Sequence, residues 1–274
     1  MKSHFETVTC PDCKSIELLE VIHSFPHWTY SGYCSKCNCQ ITKELWNSNG
    51  HIWNDDILNV TRKMKSNSVD LVCTDPPYAV RKKTDDNKEN WDDKEYFDKF
   101  VDVWLSENLR IAKHTVIWFC AGKMIPHIMR SVNPELLHRI HIWDKPAGTQ
   151  YAGASHNNIW YSIEVILVFS KDKEITTSYG KEESFNYDAL KYSTIAKKKY
   201  NHVSSKPTEL ISTLIQHYSK EGETVFDGFG GSGTTAEAAI KTKRNYILVE
   251  RDTDHYQTII KRINDLNSQF DLFR

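Results

Sequence analysis

The stretch Thr224–Asp252 constrains the fold more than any other part of the chain. A short apolar run, Thr224–Phe226, gives way to a glycine-rich loop, Asp227-Gly-Phe-Gly-Gly-Ser-Gly233. A helix-forming segment, Thr234–Lys241, follows, and then a second apolar run, Asn245–Glu250, that ends in an acid. Gly228, Gly230 and Gly233 satisfy the spacing G-x-G-x-x-G, and Glu250 lies seventeen residues beyond Gly233. A strand–loop–helix–strand unit of this kind suits a nucleoside-containing cofactor. Glycines let the backbone come close, and the acid bridges two ribose hydroxyls. No lysine precedes Thr234, so the loop is not a phosphate clamp of the nucleotide-hydrolase type. By itself the loop leaves NAD and S-adenosylmethionine open. Asp227 favours the second, because a carboxylate there attracts amino and sulfonium groups and repels a pyrophosphate.

A second chemistry-bearing segment is Val69–Tyr78, VDLVCTDPPY. Val69–Cys73 reads as a strand that stops at Asp75-Pro76-Pro77-Tyr78. Two successive prolines end regular hydrogen bonding and stiffen the backbone. A carboxylate, carbonyls without neighbouring N–H groups and an aromatic ring are thus held at a strand end. That set grips a flat group bearing an exocyclic amine: Asp75 and a proline carbonyl accept its hydrogens, and Tyr78 stacks on its face.

Around these two segments the pattern alternates. Strands are expected at His51–Asp56, His114–Cys120, Arg139–Trp143 and Ile159–Phe169, and helices at Glu95–Ala112 and 124–138, the latter interrupted by Pro134. A further helix starts near Pro207 and carries Leu210, Ile211, Leu214, Ile215 and Tyr218 on one face; the last is capped by Asp252. Alternation of this kind predicts an open, mostly parallel α/β sheet, in which ligands bind at carboxyl ends of strands. The segment 81–93 is highly charged without an apolar face, as a loop beside the site. Lys171–Ser204 is polar and rich in Lys, Ser and Tyr, and reads as an insertion suited to phosphate contacts and base stacking.

The chain is 274 residues long with a net charge of −1, so any nucleic-acid surface has to be local. There is neither a run of apolar residues long enough for a membrane nor an apolar leader, which predicts a soluble, cytoplasmic protein. Five of the seven cysteines fall within the first forty residues. Cys10-x-x-Cys13 and Cys34-x-x-Cys37 form two knuckles, with Cys39 a possible substitute for Cys37. Four thiolates in a tetrahedron bind a structural Zn2+ with no open position. Residues 1–45 resemble a zinc ribbon, with short strands at Ile16–Ile22 and Trp28–Tyr33. Residues 46–274 form the catalytic body.

The body resembles the beta-group amino-methyltransferases of DNA, which methylate adenine N6 or cytosine N4. Asp75-Pro76-Pro77-Tyr78 matches their catalytic tetrapeptide, and Phe226-Asp227-Gly228-Phe229-Gly230-Gly231-Ser232-Gly233-Thr234 their cofactor loop. The catalytic motif comes first and the cofactor loop last, the circularly permuted order of that group. Asp56 matches the acid of their "GD" segment, with Asp55 in place of the glycine. Trp143-Asp144-Lys145 matches W-x-K, Ile163-Glu164 the aromatic-Glu pair, and Lys206-Pro207 the K-P segment.

The resemblance implies a seven-stranded Rossmann-like sheet and S-adenosylmethionine as methyl donor. Asp56 would meet the cofactor adenine, Glu250 the ribose, and Lys206 and the 226–234 loop the rest. It also implies target recognition by 171–204, a duplex DNA partner whose target base is flipped out, and the homodimer common in the group. An Asp at the first position of the tetrapeptide goes mostly with adenine. The alternatives are cytosine N4, RNA or another amine, and a binding protein of the same fold that has lost catalysis. A nicotinamide dehydrogenase would leave the tetrapeptide without a role.

Overall fold

The computed structural model describes residues 3–9, 16–24, 27–33, 35–37, 40–44, 50–78, 94–145, 163–172, 188–194 and 205–271. The chain divides into two compact units, Met1–His51 and Ile52–Arg274.

The first unit is a four-stranded antiparallel meander: β1 (Ser3–Thr9), β2 (Ile16–Ser24), β3 (His27–Tyr33) and β4 (Gln40–Glu44). Thr9 pairs with Ile16 and Tyr33 with Gln40, whereas Ser24 pairs with His27. The first and third connections therefore leave from one end of the sheet and the second from the other. Cys10, Cys13, Cys34 and Cys39 lie outside the described residues. Cys37 is exposed in a turn. Among the described residues no group of three or more His, Cys, Asp or Glu side chains is placed to hold a metal.

The second unit is built on an eight-stranded sheet. Its strands are β5 (Gly50–Asn54), β6 (Val69–Thr74), β7 (Ala112–Cys120), β8 (Leu137–Asp144), β9 (Ile163–Ser170), β10 (Ala189–Lys191), β11 (Thr224–Asp227) and β12 (Asn245–Glu250). Their spatial order is β10-β8-β9-β7-β6-β11-β12-β5. β7, β6, β11 and β12 run parallel, while β9 runs antiparallel to both β7 and β8. The central strands are apolar on both faces, as a sheet covered on two sides requires. One core layer gathers Val72, Val116, Trp118 and Phe169 with Val101, Trp104 and Leu105. The other gathers Leu71, Ile117, Phe119 and Ile166 with Leu210, Leu214 and Ile215.

The helices are α1 (Ile57–Thr61), α2 (Lys94–Ile111), α3 (Ile125–Arg130), α4 (Thr208–Tyr218), α5 (Thr234–Lys241) and α6 (Thr253–Asp271). The Asp252 side chain caps α6 by accepting from the Asp254 and His255 amides at 2.9 and 3.0 Å. No helix among the described residues is long and apolar enough to cross a membrane.

Two expectations change. The helix over 124–138 is shorter. α3 stops at Arg130, because Pro134 cannot extend it and Asn133 instead caps a 3-10 turn by accepting from the Glu135 amide at 3.1 Å; Leu137 already belongs to β8. The sheet has eight strands rather than seven. Ala189–Lys191, inside the 171–204 segment, pairs with Ile142–Asp144 and so satisfies the open edge of β8. The sheet is mostly parallel as expected, with β9 reversed between β7 and β8. The segments 81–93, 173–187 and 195–204 lie outside the described residues.

Candidate active site

The two motif strands are neighbours. β6 and β11 pair in parallel, with Leu71 opposite Val225 and Val72 opposite Phe226, so their carboxyl ends open on the same edge of the sheet. The Thr224 amide donates to Asp70 at 2.9 Å at the start of the pair, and the Thr74 hydroxyl donates to Asp227 at 2.8 Å at its end.

Asp227 is 4% exposed and accepts three hydrogen bonds. Thr74 and the Phe229 amide reach Oδ1, the latter at 3.0 Å, and the Thr235 hydroxyl reaches Oδ2 at 2.6 Å. Burial lifts its carboxyl to about 6 even against these donors, with Asp75 adding a smaller push. A carboxylate has about four acceptor positions, so one is left for a ligand. Glu250 ends β12 and accepts from the Gly231 and Asp252 amides at 2.7 and 2.8 Å, one on each oxygen. Each oxygen keeps one further acceptor position, which makes the two that two ribose hydroxyls need. Burial raises this carboxyl too.

The glycine loop is tied to the helices behind it. Gly233 sits at φ +79° as the residue before α5, a conformation that glycine adopts without strain. Gly228 is closely packed: a Cβ there would lie 2.1 Å from Ile57 Cδ1, so the Ile57 side chain would have to move. Several side chains of the loop turn inward. Phe226 is fully buried, and Phe229 stands edge-on to Trp104 at 5.0 Å. Ser232 and Thr234 are reached by Arg262, which donates to the Ser232 carbonyl at 2.8 Å and to Thr234 Oγ1 at 3.1 Å. Arg262 also ion-pairs with Glu237 at 2.6 Å. Asp56, two residues after β5, caps α1 by accepting from the Leu58 amide at 2.9 Å.

On the other side of the β6 end, Pro76 and Pro77 are buried and Asp75 and Tyr78 half-buried. The Tyr78 hydroxyl donates to Asp75 Oδ1, and the Lys206 ammonium ion-pairs with Asp75 Oδ2. Glu164 stands behind both, with Oε2 3.2 Å from the Tyr78 hydroxyl and 3.2 Å from Lys206 Nζ. Its Oε1 takes Lys145 at 2.5 Å, and Lys145 lies 4.8 Å over the ring of Trp143. Trp143 is held in turn by donating to the Tyr192 carbonyl at 2.8 Å. Burial raises the Asp75 carboxyl above the usual range, with Lys206 opposing and Glu164 reinforcing; the 27% of the side chain that stays exposed moderates the effect. Glu164 moves the other way: burial works against its charge, but Lys206 and Lys145 outweigh it. Burial beside the two carboxylates raises the Tyr78 phenol well above its usual value.

The resemblance puts Lys206 with the cofactor; the structure sets its ammonium on Asp75 and Glu164. Lys145 and Glu164 match family positions to which the sequence alone gives no task. The signal for them is a pair of charged residues flanking the connection between two strands, Lys145 just after β8 and Glu164 at the start of β9, which the antiparallel pairing sets at one end.

A parallel sheet core with one reversed strand, and two acid-bearing strand ends facing one edge, make an α/β fold that binds its ligands at the carboxyl ends of its strands. Residues 69–262 match the DNA methylase family of N6 and N4 enzymes, and the chain belongs to it. It is a DNA methyltransferase of that family. One curated relative is the Type II methyltransferase M.HinfI of Haemophilus influenzae. It is 25% identical over 248 residues, which cover 77% of this chain and 67% of that one. Among solved structures, the M1.HpyAVI–SAM complex aligns at a TM-score of 0.62 with 22% identity, over 78% of this chain and 99% of the other. The PvuII DNA methyltransferase, cytosine-N4-specific, aligns at 0.62 with 20% identity, over 77% and 85%.

Proposed function

We propose that the protein methylates the N6 amine of adenine in duplex DNA, with S-adenosylmethionine as donor. The observation that carries this reading is Asp75-Pro76-Pro77-Tyr78 at the end of β6, hydrogen-bonded through Thr74 to the first acid of the adjoining glycine loop. The loop, Glu250 and Asp56 fit the donor by their chemistry: two open acceptor positions on Glu250 for the ribose, one on Asp227 for a cationic group, and Asp56 for an adenine amine. M1.HpyAVI, solved as a complex with SAM, supports the same cofactor. S-adenosylmethionine supplies, when bound, a methyl group on a cationic sulfur.

The target base has to leave the stack, because its amine is not reachable within a duplex. Tyr78 stacks on its face, an interaction worth on the order of 1–3 kcal/mol. Asp75 and the Pro76 carbonyl accept the two amine hydrogens and direct the nitrogen lone pair toward the methyl carbon. Asp75 would accept the one proton that the amine gives up on methyl transfer and pass it to solvent. The upward shift of Asp75 makes it the better acceptor late in the step. Most of the rate comes from alignment and fixed dipoles.

The residues of the first unit would hold a structural Zn2+ through Cys10, Cys13, Cys34 and Cys37. The two connections that carry these pairs leave from one end of the meander, which suits four thiolates around one ion. The test of the main reading is transfer from labelled S-adenosylmethionine to unmethylated duplex DNA, with the nucleosides identified by mass and Asp75→Ala as control. N6-methyldeoxyadenosine that disappears in the variant is the expected result. N4-methyldeoxycytidine would give the reading that the likeness to PvuII favours. Transfer to RNA alone would overturn the DNA substrate, and donor binding without transfer would point to a binding protein.

A further inference from the structure

The proposed chemistry asks Asp75 to accept hydrogens from a target amine, yet both of its oxygens already have donors. Tyr78 holds Oδ1 and Lys206 holds Oδ2. Each oxygen keeps a second acceptor position, but an amine that binds there shares the carboxylate with a phenol and an ammonium, and it gains when either lets go. Neither can be released into a void, because a buried donor left without an acceptor costs as much as the bond it lost. Glu164 resolves this. Its Oε2 lies 3.2 Å from the Tyr78 hydroxyl and 3.2 Å from the Lys206 ammonium, so each donor has a second acceptor at hand before it moves. Glu164 does not follow them, because Lys145 anchors its other oxygen at 2.5 Å and is itself seated over Trp143. Two carboxylates and two ammonium groups balance, so a neutral amine can enter without a change of charge.

Resting on the reading above, we propose that Glu164 is the positioning residue that clears Asp75: it takes over the Tyr78 hydroxyl and the Lys206 ammonium when the target amine arrives. Lys145 and Trp143 hold Glu164 in place for this exchange. Without the Glu164 charge, Lys206 stays on Asp75, and the site is locked in the arrangement seen without substrate. The groups that face Asp75 are Lys206, Glu164 and Tyr78, with Asp227, Cys73 and Cys120 further back and Lys145 acting through Glu164. Of these, Glu164 and Asp227 bear the negative charge that opposes ionisation of Asp75, and Lys206 the positive charge that favours it.

The test compares wild type with Glu164→Gln and Glu164→Asp. In Glu164→Gln, kcat is expected to fall tenfold or more, with the KM for DNA and the affinity for S-adenosylmethionine held within about twofold. The acidic limb of the kcat profile should move to lower pH, because Asp75 loses a negative neighbour and keeps its cation. Glu164→Asp, which restores the charge one methylene further back, should return the limb to its wild-type position and recover part of the rate. Wild-type turnover in Glu164→Gln overturns the proposal, as does a slower variant whose pH limb has not moved. If Glu164→Gln fails to fold, wild-type turnover in Glu164→Asp overturns it. The Asp75 carboxyl can also be titrated by carbon-13 NMR without any turnover. A midpoint that falls in Glu164→Gln supports the coupling even where wild-type enzyme transfers nothing to DNA, an outcome that would sink the substrate reading alone. An unmoved midpoint overturns the coupling.

Discussion

The Thr74 hydroxyl donates to Asp227 Oδ1 across 2.8 Å, so the last residues of two adjacent strands, 153 positions apart in the chain, hold each other in register. Replacing Thr74 by Val keeps the shape and removes the donor. Asp227 would then rely on Phe229 and Thr235. A loss of about 1–2 kcal/mol in unfolding free energy is expected, with recovery in Thr74→Ser. Urea denaturation of the three proteins measures it.

Asp227 also makes this joint sensitive to pH. Its carboxyl rises from 3.8 to about 6, mainly through burial. A carboxyl raised on folding binds its proton more tightly in the folded protein than in the unfolded chain. Its contribution is complete below about pH 4 and is lost as pH climbs through about 6. The stability difference between wild type and Asp227→Asn should therefore shrink by about 3 kcal/mol from about pH 4 to about pH 7. Carboxyls shifted the other way, such as Glu237 and Glu164, cancel in that difference. A flat difference in paired melts would rule the assignment out.

Gly228→Ala places a methyl 2.1 Å from Ile57 Cδ1 and 2.8 Å from Ile57 Cγ1. Overpacking of this kind costs about 1–3 kcal/mol. Ile57 follows the Asp56 cap, so the strain reaches the proposed adenine end of the cofactor site. Weaker binding of S-adenosylmethionine by titration calorimetry is expected. Adding Ile57→Val removes the nearer carbon and should restore part of the affinity.

Arg262 is 6% exposed and joins α6 to Glu237, Ser232, Thr234 and Thr208. Arg262→Met leaves Glu237 buried with Lys241 alone. The expected cost is about 3–5 kcal/mol in chemical denaturation. Arg262→Lys should recover little, because one ammonium cannot reproduce a fork that reaches four residues.

The first unit should carry one zinc per chain by elemental analysis. Cys10→Ser should lose that metal and melt the meander, since so small a module builds no sufficient core alone. Folding of residues 52–274, followed by S-adenosylmethionine binding, should be unchanged. Retained zinc in the variant would exclude Cys10 as a ligand.

Local chemistry was readable from the sequence wherever neighbouring residues make the feature. The glycine spacing before α5, the proline stop after β6, the acid closing β12 and the Asp252 cap all depend on a few consecutive positions. The same holds for the apolar runs that became the central strands. Pro134 was visible as an interruption, but not as the point where helix becomes strand, because that is decided by β8 finding β9 beside it.

Which strand ends carry acids and where the backbone turns follow from the residues alone, because proline, glycine and apolar patterning act on their own segments. That Asp75, Lys145, Glu164 and Lys206 form one charge network depends on the packed sheet. β9 runs against its neighbours, so its first residues, rather than its last, reach the edge where β6 and β8 end. Strand direction is a property of the whole sheet, and no local window contains it. The same holds for Ser232 and Thr234. Their place in the loop is written locally, but Arg262, brought by α6, turns their side chains inward.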